Sequence, residues 1–403
     1  MKKSLVLVIN CGSSSLKFSL MEPNTGAESL TGIAQCLLTE KANITFTINS
    51  SKQTVELPSP FDHECAIASL VNFINQQQLF QQVTAIGHRV VHGGEQYCQP
   101  TLITQQVKQQ IHELAKLAPL HNPANLVGIE ATEKAFAYLP QVAVFDTAFH
   151  QTMPEKAYIY GLPYALYKDH GIRRYGFHGS SHYFVAKQAS TLLKKPLAEC
   201  NLISAHLGNG CSVSAIANGQ SVDTSLGFTP LEGVVMGTRS GDVDPGIIFY
   251  LVNQLGYSIH QVNQLLNKES GLLGISGVSN DCRAIEEQAL AGNKRAQLAI
   301  DIFCYRIAKT IAGFSASLKS LDGLIFTGGI GENSSTIRHK IMEQLSLLGF
   351  NIDQTLNLAC RFGNQGHIHR KDSRACWVIP TNEEWVIAQQ AQQLISNKGE
   401  QNV

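Results

Sequence analysis

The chain has 403 residues, enough for two or three domains of about 150 residues each, and is 44% hydrophobic against 15% charged, a balance typical of globular proteins and far from disordered ones. Its 31 Lys and Arg offset 31 Asp and Glu, leaving no basic excess to hold DNA, RNA or an anionic membrane surface by charge. No apolar stretch approaches the ~18 residues of a membrane span.

In chain order, Met1-Lys2-Lys3 ahead of Leu5-Val6-Leu7-Val8-Ile9 imitates a secretory leader. That apolar run stops at Asn10, short of the ~7–15 residues a leader needs, and predicts a buried first strand instead. Residues 16–20 form its partner across the small-residue turn Cys11-Gly12-Ser13-Ser14-Ser15, giving a hairpin. Further on, 83–86 reads as a strand, 105–116 as a helix and 142–145 as a strand ending at Asp146. A domain boundary is expected within residues 151–160, where Pro154 interrupts any periodicity.

Residues 202–205 and 213–216 then flank Gly208-Asn209-Gly210-Cys211 in a second hairpin. A shift of 196 positions lays Gly12 on Gly208, Ser13 on Asn209 and Ser14 on Gly210, which reads either as an internal duplication or as two unrelated glycine hairpins. Ala299, Ile300, Phe303, Ile307, Ile311 and Phe314 recur at helical spacing, residues 323–327 form a buried strand, and Trp385 opens a final helix. Strand and helix alternate in both halves, which predicts an α/β fold of two comparable domains with a cleft between them. The ten cysteines form no C-x-x-C pair, so they read as reduced thiols of a cytoplasmic protein without a zinc site.

Glycine is concentrated where chemistry is expected, with 21 of the 33 lying between Gly171 and Gly331, as loops that let backbone approach a ligand require. Thr327-Gly328-Gly329-Ile330-Gly331-Glu332-Asn333-Ser334 leads from a strand into a helix and is expected to offer free N–H groups to a phosphate, although it is neither a Walker A loop nor a Rossmann fingerprint. The two hairpin tips, one with Lys17 just beyond it and the other opened by His206-Leu207, suit a polyphosphate clamp. Arg89, His178 and Arg239 sit among glycines rather than on a charged helix face, as stabilising a transferring phosphoryl group requires. Asp146 at a strand end, and Glu383 or Glu384 at the start of the last helix, are candidates for metal-water ligands or a base. Most histidines, His63 and His112 among them, read as surface or packing residues.

Val8-Ile9-Asn10-Cys11-Gly12-Ser13-Ser14-Ser15-Leu16-Lys17-Phe18 and Gly171-Ile172-Arg173-Arg174-Tyr175-Gly176-Phe177-His178-Gly179 resemble the opening and central motifs of the acetate kinase family. Residues 206–212, 229–233, 236–242, 327–333 and 380–384 match as well, so the resemblance spans nearly the whole chain. It implies duplicated actin-like (ribonuclease-H-like) ATPase domains closing on a nucleotide, at 1–150 and 151–384, with a helix at 385–396 packing back on the first. By the same resemblance, ATP is held by Lys17, by His206, Leu207, Gly208, Asn209 and Gly210, by Asp281, Cys282 and Arg283 near the adenosine, and by Gly329, Ile330, Gly331, Glu332 and Asn333. Mg²⁺, or Mn²⁺ in its place, is implied near Asn10 and Glu383 through water. Arg89 is to grip the carboxylate or the γ-phosphate, and His178 and Arg239 the transferring phosphoryl.

The family pattern makes Asp146 an acid or base. A carboxylate nucleophile is already ionised at pH 7, so Asp146 is expected to orient Arg89 or metal-bound waters instead. Val91, Leu120, Phe177 and Pro230 are expected around the acetate methyl group. The departures, Cys211 where the family usually has Gly or Ala and Ser180 for a common Thr, touch only loop geometry. The expected activity is reversible, Mg²⁺-dependent phosphoryl transfer from ATP to acetate in a cytoplasmic homodimer, without nucleic-acid or membrane partners. The alternatives are a propionate or butyrate kinase and, in another class, an actin-like nucleotide switch or filament protein.

Overall fold

The computed structural model describes residues 4–119 and 121–401, and it divides into two units, one running to Ala148 and resuming at Asn382, the other Phe149–Thr381. Glu383, counted with the second domain from sequence, therefore belongs to the first unit.

The first unit is built on β1 (Leu5–Cys11), β2 (Ser15–Met21), β3 (Glu28–Gln35), β4 (Asn43–Ile48), β5 (Ser51–Glu56), β6 (Val83–Val90), β7 (Thr101–Leu102) and β8 (Gln141–Phe145), in the order β5-β4-β3-β2-β1-β6-β8-β7. β1 pairs antiparallel with β2 and parallel with β6, and β6 pairs parallel with β8. β1 is buried on both faces, so its residues split by strand alternation between two cores. Leu5, Leu7, Ile9 and Cys11 join Ile67, Leu70 and Ala131 from the helices His63–Gln76 and Asn122–Ala135. Val6 and Val8 join Ile387, Ala388 and Ala391 of the last helix, Glu383–Gln401. Two glycines allow these approaches: a Cβ on Gly87 would lie 2.6 Å from Ile387 Cγ2, and one on Gly128 2.7 Å from Cys11 Cβ.

The second unit repeats the plan. β9 (Leu202–Leu207), β10 (Cys211–Ala217), β11 (Gln220–Thr224), β12 (Gly323–Thr327), β13 (Gly366–His367) and β14 (Ala375–Val378) lie in the order β11-β10-β9-β12-β14-β13. Antiparallel β11-β10-β9 continues into parallel β9-β12-β14, as antiparallel β3-β2-β1 continues into parallel β1-β6-β8. This is the duplicated α/β, actin-like arrangement. The hairpins are not superimposable residue for residue, however: Cys11 pairs with Leu16, whereas Leu207 pairs with Cys211, so the second turn is one residue shorter and the fixed shift fails beyond the tip.

Helix Lys294–Phe314 carries the predicted apolar stripe, with Ala299, Ile300, Phe303, Ile307 and Ile311 all buried. The predicted helix over 105–116 is α-helical only across Gln105–Glu113, and its last turn tightens to a 3₁₀ turn at Leu114–Lys116.

The seat of the last helix on the first sheet yields a stability prediction. Ile387 is 1% exposed among Val6, Val8, Ala85 and Val142, so Ile387→Ala should cost about 2–5 kcal/mol in urea unfolding; a loss under about 0.5 kcal/mol would mean the helix contributes little to that core.

Candidate functional site

In the first unit the parallel strands β1, β6 and β8 deliver Asn10, Arg89 and Asp146 to one end of the sheet, the carboxyl end at which ligands bind in α/β folds. Asp146, 1% exposed, receives Arg89 Nε at 3.1 Å and a second, shorter bond from Arg89 Nη2, a two-point grip. Arg89 Nη1 donates to Asn10 Oδ1 at 3.2 Å, and Glu383 approaches Arg89 Nε at 3.9 Å. Burial opposes the Arg89 charge, but Asp146 and Glu383 outweigh it and raise its pKa above the usual guanidinium value. Burial, with Asp146 and Glu384 adding to it against Arg89 and Lys17, pushes the Glu383 carboxyl up to about 7. Lys17 is exposed on β2, opposite Asn10 in the hairpin register.

Two buried asparagines that the sequence reading did not single out hold the chain beyond β6. Asn125 accepts from Val91 N at 3.0 Å and donates to the Cys11 carbonyl at 2.8 Å, tying the Val91 loop to the first hairpin. Asn122 accepts from His92 N and donates back to the His92 carbonyl, at 3.1 and 3.0 Å. His63 packs as expected, 5% exposed, and does one thing more: its Nε2 is hydrogen-bonded to the Gly12 carbonyl at 2.8 Å. Val91 itself is 6% exposed. Leu120 lies outside the described residues.

In the second unit His178, His206, Gly210, Arg239 and Pro230 come together. His178 has a left-handed backbone (φ 58°) at the start of helix Gly179–Leu193, and its ring stacks on His206 with centroids 4.4 Å apart. A Cβ on Gly210 would lie 3.5 Å from His178 Nε2 and 3.6 Å from Arg239 Nη1, so the glycine leaves space where both side chains point. Arg239 Nη1 donates to the Pro230 carbonyl at 2.9 Å, and no carboxylate lies within salt-bridge distance of it among the described residues. Burial lowers its pKa from the ordinary guanidinium value. Beneath them runs a chain of bonds, Ser204 Oγ to His182 Nδ1 (2.7 Å), His182 Nε2 to Ser212 Oγ (2.7 Å) and Ser212 Oγ to His178 Nδ1 (2.9 Å). Phe177 is buried next to His178, and its carbonyl is bonded to His150 Nε2 at 3.0 Å.

A cavity of about 560 Å³ in the same unit is lined by Gly208, Asn209, Asp281, Cys282, Arg283, Gly329, Ile330 and Asn333, eight of the residues expected to hold a nucleotide. His206, Leu207, Gly210, Gly331 and Glu332 do not line it. Glu332 turns inward and accepts from Gly328 N at 3.0 Å and Thr381 N at 3.2 Å, so the Gly328 N–H expected to be free is already satisfied. Gly328 itself must be glycine: its φ is +75°, and a Cβ would lie 2.8 Å from the Leu207 carbonyl oxygen. Ser334, at the end of the glycine stretch, also lines the cavity, as do Asn280, Glu286, Arg361 and Phe362, which no motif in the sequence signalled. Among the described residues no group of three His, Cys, Asp or Glu could hold a metal directly.

Residues 5–389 match the acetokinase family. The acetate kinase of Shewanella putrefaciens is 54% identical over 400 residues, 99% of this chain and 100% of its own length. That of Shewanella oneidensis is 54% identical over 398 residues, 98% of this chain and 100% of its own length. Among solved structures, a propionate kinase from Francisella tularensis has a TM-score of 0.92 at 45% identity, with 97% of this chain and 99% of that one covered. The Porphyromonas gingivalis acetate kinase has a TM-score of 0.93 at 41% identity, with 97% and 100% covered.

The buried histidines give the fold a pH dependence. Burial lowers His150 from the ordinary 6.5 to about 4 and His182 well below 6.5, so both stay neutral in the folded chain. The unfolded chain takes up these protons as pH falls through about 6.5, so the stability they contribute is full above that pH and is lost toward pH about 4. Glu383, raised to about 7, titrates with the opposite sign, so the test is made on Glu383→Gln: its urea midpoint should drop steadily between pH about 6.5 and about 4.5, and a flat midpoint there would contradict the assignment.

Proposed function

This chain belongs to the acetokinase family and is a kinase with a carboxyl group as acceptor, and we propose that it transfers the γ-phosphoryl group of ATP reversibly to acetate, giving acetyl phosphate and ADP. The observation that carries the reading is the continuity of the second unit's site. Gly208 and Asn209 line the cavity, and Gly210, next along the same hairpin tip, borders His178 and Arg239, which has no carboxylate partner among the described residues. A nucleotide seated in that cavity with its phosphates along the tip would bring the terminal phosphoryl to Arg239, whose charge offsets it, and to His178, which can hydrogen-bond it. The acetate oxygen attacks the γ-phosphorus in line as the bond to the bridging oxygen breaks, and the charge on the three equatorial oxygens falls to Arg239 and His178.

In the first unit Arg89 is the carboxylate-gripping group, and Asp146 is the residue that orients it. Acetate arrives ionised and has no proton to remove, so a general base has no task here. Asp146 and Glu383 set two carboxylates beside the one Arg89 guanidinium, and burial first, with Asp146 and Glu384 adding to it, raises the Glu383 pKa. Hard oxygen donors with surplus negative charge fit Mg²⁺, which keeps most of its waters and needs only one or two protein oxygens. Asn10 and Glu383 would hold its water shell, and the ion would neutralise phosphate oxygens.

The propionate kinase among the solved relatives makes chain length the open point of specificity. Val91, buried and pinned through its N–H to Asn125, is the residue we assign to the acyl-chain limit.

A cytoplasmic location suits ten cysteines that are all free thiols. No helix among the described residues is long and apolar enough to cross a membrane. A second copy of the chain is the partner we propose. Helix Pro245–Asn253 buries none of its residues and exposes Ile247, Phe249 and Tyr250, an apolar face suited to a two-fold contact.

The first test is whether ATP is consumed only when acetate is added, which separates a kinase from a nucleotide switch. Arg89→Ala and Arg239→Ala should each lower kcat by about 10²–10³, the scale of losing one preorganised donor. Near-normal kcat in both, with the fold intact, would remove them from the site. For chain length, acetate should be preferred to propionate, and Val91→Ala should raise the propionate-to-acetate ratio of kcat/KM by about tenfold or more. A native preference for propionate, or a ratio within about twofold of the native one, would overturn the Val91 assignment.

A further inference from the structure

Phe362 sits at the rim of the cavity in a conformation that packing does not explain. It is 78% exposed, and its backbone is left-handed at φ 54°, a region costly for a bulky residue. The strained turn is nevertheless held firmly. Phe362 N donates to Asn333 Oδ1 at 2.9 Å, and Asn333 Nδ2 donates to the Gly329 carbonyl at 2.9 Å, so the aromatic residue is tied to the glycine stretch lining the same cavity.

Behind this turn lies Arg338, fully buried and with no carboxylate in salt-bridge distance among the described residues. It donates to the Gly331 and Glu332 carbonyls at 2.8 and 2.9 Å on one side, and to the Asn357 and Cys360 carbonyls at 2.7 and 2.9 Å on the other. The segment that leads into Phe362 is thereby fixed against the cavity wall. The Arg361 guanidinium lies 4.8 Å from the Phe362 ring centroid, so a cation and a π face are presented together.

We propose that Arg361 and Phe362, which line the cavity, receive the purine base of the nucleotide by stacking. The inference rests on the reading of this cavity as the nucleotide site. Several polar groups that could read base edges are already engaged: Asn333 uses both ends of its amide, Asp281 pairs with Arg283 at 2.9 Å, and Glu286 accepts from Ser334 Oγ at 2.7 Å. Stacking needs no such groups, because every base has a π face.

Equilibrium binding of ADP and GDP and steady-state kinetics with ATP test this on three variants of the full chain. Phe362→Asn removes the ring while keeping a residue that tolerates a left-handed backbone; it should weaken ADP and GDP alike by about tenfold and raise KM for ATP by a similar factor, with kcat at saturating ATP and KM for acetate within about twofold of native. Phe362→Tyr should restore native affinity. Gly329→Val is the control for the cavity itself, since Gly329 lines it and a Cβ there meets nothing within 4 Å, and an unchanged urea midpoint checks that the fold is kept. Loss of nucleotide in Gly329→Val with native affinity in Phe362→Asn overturns the stacking role alone. Native affinity in both overturns the reading of the cavity and the inference with it.

Discussion

A guanidinium charge held without a counter-ion is the constraint around which the second unit is organised. Burial already disfavours the charged form of Arg239, and no carboxylate among the described residues relieves it. Such a group keeps its position only if the backbone beneath it is fixed by other means. Met236 N donates to the Arg239 carbonyl at 3.2 Å, Ser270 N to the Thr238 carbonyl at 3.0 Å and Leu272 N to the Met236 carbonyl at 2.8 Å, so the loop is sewn to the chain that follows Asn267. Gly271 is required at that seam, because a Cβ would stand 2.2 Å from the Met236 carbonyl oxygen. Arg89 is the opposite case: surrounded by Asp146 and Glu383, it is stabilised in charge and fixed in direction. One arginine is left unsatisfied for an arriving anion, and the other is aimed.

The duplicated fold gives both units the same sheet end and fills it differently. β1, β6 and β8 end in an amide, a guanidinium and a carboxylate, so the first unit works through side chains. In the second, β9 runs through His206 into a tip of glycines and β12 runs into Gly328, so the backbone itself comes close to the cavity. The shorter turn between Leu207 and Cys211 belongs to this difference, since the tip of the second hairpin stays tight, with Gly208 N bonded to the Gly210 carbonyl at 3.0 Å. Equal topology with unequal turns is what a division of labour between side-chain and backbone recognition requires.

The parts of the site legible in the sequence were those whose signal is local. Glycines around Arg239 and His178, the two hairpins, and the strand entering Gly328 all announce themselves within a few residues. Asn125, Arg338 and Phe362 do not. Asn125 acts on Cys11, 114 residues away, and Arg338 acts on Asn357 and Cys360, 19 and 22 residues away. A buried amide or guanidinium looks in sequence like a surface residue, because its value lies in partners that only the fold supplies. Glu332 misleads in the reverse sense: it sits in a glycine-rich motif that suggests ligand contact, yet its carboxylate is spent on the Gly328 and Thr381 N–H groups.

The serine–histidine chain below His178 explains how a ring beside Arg239 can help an anion without adding a second buried charge. His182 is bonded through both ring nitrogens and is kept neutral by burial, so it donates at one nitrogen and accepts at the other. If it accepts from Ser204 and donates from Nε2, the Ser212 hydroxyl is free to donate to His178 Nδ1. His178 then carries its proton on Nε2, which borders the space above Gly210 at 3.5 Å. The reverse polarity would turn a lone pair toward that space and repel a phosphoryl oxygen. Substrate charge therefore selects the first polarity, and the selection costs only the rotation of two hydroxyls and a change of tautomer in both imidazoles, in place of a buried ionisation.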